Sequence, residues 1–227
     1  MRNEPCHGSF SIRKFYPRLP ADSEPSVESR CIVPYDSVPN PSRVDALTVP
    51  THKTSIANLM RFMLAFLAVV IGTAQSRADL GAFIAFLMIA MHFRTHPTLL
   101  AEYKTVIVTL LIGALWESLL IGNHVLSYEG NVAFSIVPMW VLGFWAALAT
   151  TFNGCLNWGK RHPFQISALG GLSGALLGYA GTLFGIVHIV SPVKGYLILA
   201  LGWALMAPIL FRLADYFSRT SEAILRN

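Results

Sequence analysis

The sequence predicts an all-α fold: a polytopic membrane bundle of six transmembrane helices behind a disordered N-terminal tail. Three observations predict it. Six apolar segments follow one another from Leu59 to Leu213. Residues 59–213 carry only 12 charged side chains. The basic residues between the segments alternate from one side to the other. Across the 227 residues, 13% are charged and the mean hydropathy is +0.53, against about 25% charged in a soluble domain.

Residues 1–55 form a separate region. They hold eight of the thirteen prolines, seven Arg/Lys and six Asp/Glu. Their apolar residues follow no sustained period, so the segment cannot bury enough surface to offset its ordering entropy. They also lack the apolar stretch of a signal peptide. The reading is a disordered tail, with an over-long gene start (translation from Met60 or Met63) as the alternative. The bundle is expected over 56–216 and a short C-terminal tail over 217–227.

The first span is expected from about Leu59 to Ala74, followed by a turn with Arg77 and Asp79. The second runs from about Leu80 to Phe93 and stops at His96-Pro97, because proline cannot continue a helix. The first two are short for a 30 Å hydrocarbon layer, which favours little tilt or local thinning. The third is expected from about Lys104 to Gly122 and the fourth from Val132 to about Asn157. The fifth runs from Pro163, a favourable first-turn proline, to about Val190. The sixth runs from Pro192 to about Leu213.

Orientation follows from the cations, since cytoplasmic loops are enriched in Lys and Arg. One set of flanks holds Arg43, Lys53, Arg61, Arg94, Lys104, Lys160, Arg161, Arg212, Arg219 and Arg226. The other holds Arg77 and Lys194. Both termini are therefore expected in the cytoplasm. The positive charge has this topological explanation, and no basic stripe with interleaved aromatics points to nucleic acid.

Four features carry chemistry. In the fifth segment Gly170, Gly174 and Gly178 are four apart, with Ser167, Gly181 and Gly185 extending the face. Such small residues admit a close helix neighbour, here expected to be the fourth helix through Gly143, Ala147 and Thr151, or Gly113 of the third. The same face is also a candidate homo-oligomer surface. Glu117 lies well inside the third segment, where a charge costs about 2.5–3.5 kcal/mol on insertion scales. His188 is expected at a similar depth and His124 at the outer end of the third helix, and a Glu117–His188 contact would suit proton transfer. Thr150, Asn153 and Asn157 share a helical face before Lys160, Arg161 and His162, a set suited to a lipid headgroup or to interhelical amide bonds. His92-x-x-x-His96 has a helical metal-ligand spacing, but no carboxylate adjoins it and Pro97 follows. No metal or cofactor is expected. Cys6, Cys31 and Cys155 are too scattered for a disulfide framework or a zinc site.

The run Pro138 to Trp158, with Trp140, Trp145, Ala149-Thr150-Thr151, Asn153 and Asn157-Trp158, resembles the bacterial membrane-protein family called domain of unknown function 2878. Glu117-Ser118, Gly170-Gly171 and Tyr179 fit the same pattern, and Tyr179 joins the candidate ligand-binding residues. The resemblance covers about Leu59 to Leu213. It departs where Ala175-Leu176 stand in place of a Gly-Pro pair before Tyr179, and where Gly154 follows Asn153 instead of a histidine. The family has no established activity. Its genes often adjoin those of cyclopropane-synthase-like methyltransferases and flavin amine oxidases. The resemblance therefore implies the bacterial inner membrane and a link to acyl modification of membrane lipids.

Three functions remain open. One is an accessory component of lipid modification that binds a lipid or acyl chain, with Asn153, Asn157 and Arg161 at the headgroup, Glu117 deeper, and soluble lipid-modifying enzymes at the cytoplasmic face as partners. The second is a proton-coupled transporter working through Glu117 and His188, although no inverted repeat relates the two halves. The third is a non-catalytic scaffold.

Overall fold

A computed structural model describes residues 52–95, 99–129, 132–133 and 137–226. The expected tail up to residue 51 and His96-Pro97 lie outside these residues. Six helices are present: α1 (His52–Ala74), α2 (Ala78–Thr95), α3 (Leu99–Gly122), α4 (Met139–Ala149), α5 (Pro163–Leu183) and α6 (Pro192–Arg226). Between them lie β1 (Leu126–Tyr128), β2 (Val132–Ala133), β3 (Val137–Pro138), a 3-10 turn (Asn157–Arg161) and β4 (Val187–Ile189). Strands β1 and β4 pair antiparallel with Ser127 opposite His188, and β2 pairs with β3. The β1–β4 pair ties the end of α3 to the α5–α6 connection. We call this end of the bundle the sheet end and the opposite one the amide end.

Five helices are long and apolar enough to cross a membrane; α4, with 11 residues, is not. The chain is a multi-pass membrane protein, and the expected unbroken fourth span is corrected. An 11-residue helix rises about 16 Å, half the hydrocarbon thickness. Two local causes shorten it. Pro138 has no N–H to donate and sits extended at φ −62°, ψ 146°, so the helix starts after it. At the other end the Thr150 and Thr151 hydroxyls donate to the Ala147 and Leu148 carbonyls, offering the backbone an alternative to another helical turn. Helix α4 is apolar on all sides, with Trp140, Val141, Trp145 and Ala146 buried. Such a helix belongs in the core, and α4 packs against α1, α2 and α3.

The other helices are inside-out by the standard of a soluble protein. Ile107, Leu111, Leu115 and Leu119 of α3 are exposed at four-residue spacing, as are Leu197, Leu201, Leu205 and Ile209 of α6. Small residues face inward instead. At Gly72 a Cβ would stand 3.0 Å from the Gly81 Cα, so these two glycines let α1 and α2 meet backbone to backbone.

The glycine face of α5 packs on α6, not on the expected α4. A Cβ at Gly170 would stand 2.7 Å from the Trp203 carbonyl, one at Gly174 2.6 Å from the Trp203 ring, and one at Gly178 2.5 Å from Leu199. The face offered as a homo-oligomer surface is therefore filled from within the chain. Gly113 makes room for the Trp145 indole, and Gly143 meets Ala85 of α2.

Helix limits also differ from expectation. α1 begins before Leu59, α5 stops at Leu183, and α6 continues past Leu213 to Arg226. Gly185, at φ +70°, makes the reversal after α5 that a residue with a Cβ resists.

Candidate functional site

Polar side chains gather at both ends of the bundle. At the amide end, Asn58 of α1 is buried and joins three other elements. Its Oδ1 accepts from the Cys155 N–H (3.0 Å), and its Nδ2 donates to the Thr150 carbonyl (3.0 Å). These two backbone partners fix which way the amide faces. The same Nδ2 lies 3.2 Å from His92 Nδ1, so Nδ1 accepts and the imidazole proton sits on Nε2. Nε2 donates to Glu102 Oε2 at 3.0 Å. Asn58 thus satisfies the carbonyl and N–H that the early end of α4 exposes, a requirement for non-helical backbone at membrane depth. Burial pushes the Cys155 thiol above its ordinary pKa.

Beside this group, Lys160 Nζ donates to Asn153 Oδ1 at 2.6 Å, and the Ser218 hydroxyl of α6 donates to the same oxygen at 3.0 Å. Asn153 Nδ2 is buried with no partner among the described residues. Of the expected headgroup set, Thr150 Oγ1 is spent on Ala147, Asn157 is half-buried in the 3-10 turn, and Arg161 is exposed. These residues do not share one helical face, because α4 ends at Ala149.

Toward the sheet end, the structure gives Glu117 partners other than His188. Tyr128 OH of β1 donates to Oε2 at 2.5 Å, and Trp145 Nε1 of α4 donates to Oε1 at 3.0 Å. Each oxygen is held by a rigid aromatic donor, so the carboxyl joins α3, β1 and α4. Burial, then the Glu117 charge and hydrogen bond, push the Tyr128 phenol well above its ordinary pKa, so Tyr128 remains a donor. His188 pairs with Glu129 instead (Nε2 to Oε1, 3.0 Å), and both are exposed. The β1–β4 register explains this: it sets His188 opposite Ser127 on an outer strand face. His124 is exposed in a left-handed turn at φ 54°. Tyr179 is also exposed, its ring edge-on to Tyr196 at 6.3 Å.

Two cavities adjoin at the sheet end. One, of about 430 Å³, is walled by Thr73, Ser76, Asp79, Glu129 and the Phe184–Ile186 turn. The other, of about 340 Å³, is an apolar groove between α2 and α4, walled by Ala82, Phe83, Phe86, Met139 and Trp140. Ala78 and Asp79 line both. Glu129 is anchored by its main chain, whose carbonyl accepts from Trp140 Nε1 (2.8 Å) and whose N–H donates to the Ile186 carbonyl (3.0 Å).

Sequence reasoning missed Asn58, Glu102, Thr73 and Glu129. Glu102 was hidden by the expected start of the third span at Lys104, which left it in a loop. In fact it is wholly buried in the first turn of α3. A histidine and a carboxylate on either side of Pro97 in the sequence were the available signal. No such signal marked Thr73. Among the described residues, no group of three or more His, Cys, Asp or Glu is disposed to hold a metal ion; His96 lies outside them.

No curated protein and no solved structure matches the chain. Residues 55–209 match the family described as Protein of unknown function (DUF2878). This match takes in nearly all of α1, the whole of α2 to α5 and the first half of α6, and the chain belongs to that family.

Proposed function

We propose that the protein binds an amphiphile, a lipid or a free acyl chain, and serves as an accessory component of membrane-lipid or fatty-acid modification. One observation carries the reading: a polar cavity and an apolar groove at one end of the bundle share Ala78 and Asp79. Their combined shape suits a molecule with a polar head and a hydrocarbon tail. The proposal places the protein in a bacterial inner membrane with both termini inside, the arrangement the alternating cations favour. That topology sets the cavity at the outer leaflet. It moves the headgroup from Asn153, Asn157 and Arg161 to the opposite end.

Two experiments test this. Native mass spectrometry of the purified full-length chain should find an acyl-chain molecule that survives delipidation. It should be lost with Phe83→Gln and Phe86→Gln together, two exposed groove residues whose exchange spares the core. Acyl profiles of cells lacking the gene should shift and be restored by the wild type alone. An unchanged profile overturns the lipid-modification role, and no retained lipid overturns binding.

A second reading, a proton-coupled carrier, has its own observation. Glu102, Thr105, Thr109 and Glu117 are all buried on one face of α3. Their spacing spans about 22 Å of helix rise. Uptake that responds to pH and is abolished by Glu117→Gln is the expected result; uptake indifferent to both removes the reading.

A further inference from the structure

Asn58, His92 and Glu102 come from α1, α2 and α3 and are 4%, 2% and 0% exposed. His92 is followed by only three more residues of α2, and Glu102 lies in the first turn of α3. At about 1.5 Å per residue, the imidazole is roughly one helical turn from the amide end of the bundle. It is buried, yet shallow.

The hydrogen bonds of this joint determine where a further proton can go. Asn58 Nδ2 has two hydrogens, one for the Thr150 carbonyl (3.0 Å) and one for His92 Nδ1 (3.2 Å). Asn58 Oδ1 accepts from the Cys155 N–H (3.0 Å). His92 Nε2 already donates to Glu102 Oε2 (3.0 Å). A second ring proton can therefore enter only at Nδ1, where it points at Asn58 Nδ2, donor against donor. Turning the amide over presents Oδ1 to the new N–H. It also sets Oδ1 against the Thr150 carbonyl and Nδ2 against the Cys155 N–H. Neither orientation satisfies all three contacts of the amide. The turned one holds an imidazolium between Oδ1 and the Glu102 carboxylate, and such charge-assisted bonds are the stronger kind. It surrenders Thr150 and Cys155, the backbone just past the early end of α4.

We infer that His92 is a proton-operated latch on the segment that follows α4. With a neutral imidazole, Asn58 grips residues 150–155; when Nδ1 takes a proton from the amide-end water, the amide turns and lets go. Residues 150–161 hold only turns and a 3-10 helix, so the release unwinds no α-helix. Asn153 in that segment accepts from Ser218, which carries the change to α6. An imidazole is the side chain whose charge ordinarily changes between about pH 5 and 8. Among the described residues, the other ionisable groups at the joint are Glu102 of α3, Arg61 of α1 and Cys155. Arg61 donates to Thr95 Oγ1, whose hydroxyl bonds the His92 carbonyl. Burial holds the Cys155 thiol above its ordinary pKa, so it stays neutral over that range. The latch needs no bound amphiphile.

The test is hydrogen–deuterium exchange of the full-length protein in phosphatidylcholine nanodiscs at about pH 8 and about pH 5.5, each corrected for the chemical exchange rate at that pH. Protection of residues 150–161 should fall about tenfold at the lower pH, the ratio one lost hydrogen bond gives, while residues 163–183 of α5 keep theirs. His92→Gln has an amide oxygen to accept and an N–H to donate but takes up no proton, and it should hold the segment equally at both values. Glu102→Gln removes the charge that favours the imidazolium, so the loss of protection should move about one pH unit lower; this reads the latch even if His92→Gln does not fold. His96→Gln and His162→Gln should leave the response in place. Protection independent of pH in the wild type overturns the latch. So does a response that survives His92→Gln, one that disappears with His96→Gln or His162→Gln, or a midpoint that Glu102→Gln leaves unmoved.

Discussion

Asn58 and Thr73 sit 15 residues apart on α1, one at each end of the bundle, and are 4% and 5% exposed. They are opposite cases. The Asn58 amide has three partners on three other elements. The Thr73 hydroxyl has none among the described residues, although the residue itself lines a cavity with two acids. The difference separates two uses of polarity inside a membrane. At Asn58 it holds architecture together, because the early end of α4 would otherwise leave backbone unsatisfied. At Thr73 it joins no second element and costs stability. Burial alone distinguishes neither case; the count of partners does.

The largest expected effect breaks the Asn58 side. Asn58→Leu strands the Thr150 carbonyl, the Cys155 N–H and His92 Nδ1 at once. It should destabilise the purified protein by roughly 2–4 kcal/mol, since single interhelical bonds in membranes are worth about 0.6 and at most about 1.7. Unfolding in graded denaturing detergent reads this directly. A change below about 0.5 kcal/mol would mean the amide is not the joint described. Next comes Tyr128→Phe, which removes one of two donors from Glu117. The expected loss is about 1–2 kcal/mol, and Trp145→Phe added to it should cost more than the sum of the two, because the second change leaves the carboxyl without either aromatic donor.

Thr73→Val should move the other way. With no ligand present, replacing an unpartnered buried hydroxyl by a methyl is neutral or stabilising by up to about 1 kcal/mol. A clear destabilisation would show that Thr73 already has a partner. The smallest effect concerns Cys155, whose thiol is held above its ordinary pKa by burial. At a fixed pH less of it is thiolate, so alkylation should be slower than for an exposed thiol, and Asn58→Leu should speed it by freeing the Cys155 backbone. Equal rates in wild type and variant would separate Cys155 from the Asn58 joint.

Much of the frame was legible in the sequence. Continuous apolar runs mark α1, α2, α3, α5 and α6, because a helix in lipid needs little besides length and hydropathy. Helix α4 was not legible by that rule: its apolar run extends past both ends, and only Pro138 and the paired threonines betray the shorter helix. Glu117 was legible as a buried carboxyl, yet its partners were not. Tyr128 and Trp145 lie 11 and 28 residues away, and nothing in the spacing selects them over His188. The Gly170–Gly174–Gly178 face was legible as a packing surface, whereas its neighbour depended on the α5–α6 hairpin. Thr73 was invisible, since a threonine in an apolar helix ordinarily satisfies itself.

The two ends can be compared in one measurement: hydrogen–deuterium exchange of the full chain in phosphatidylcholine nanodiscs, before and after phosphatidylethanolamine is added. The account predicts slower exchange at residues 73–81, 126–129 and 184–189, with no change at 150–162. Slower exchange confined to 150–162 would put the headgroup at Asn153, Asn157 and Arg161 and contradict the assignment to the sheet end. No change at either end would contradict the binding of this amphiphile altogether.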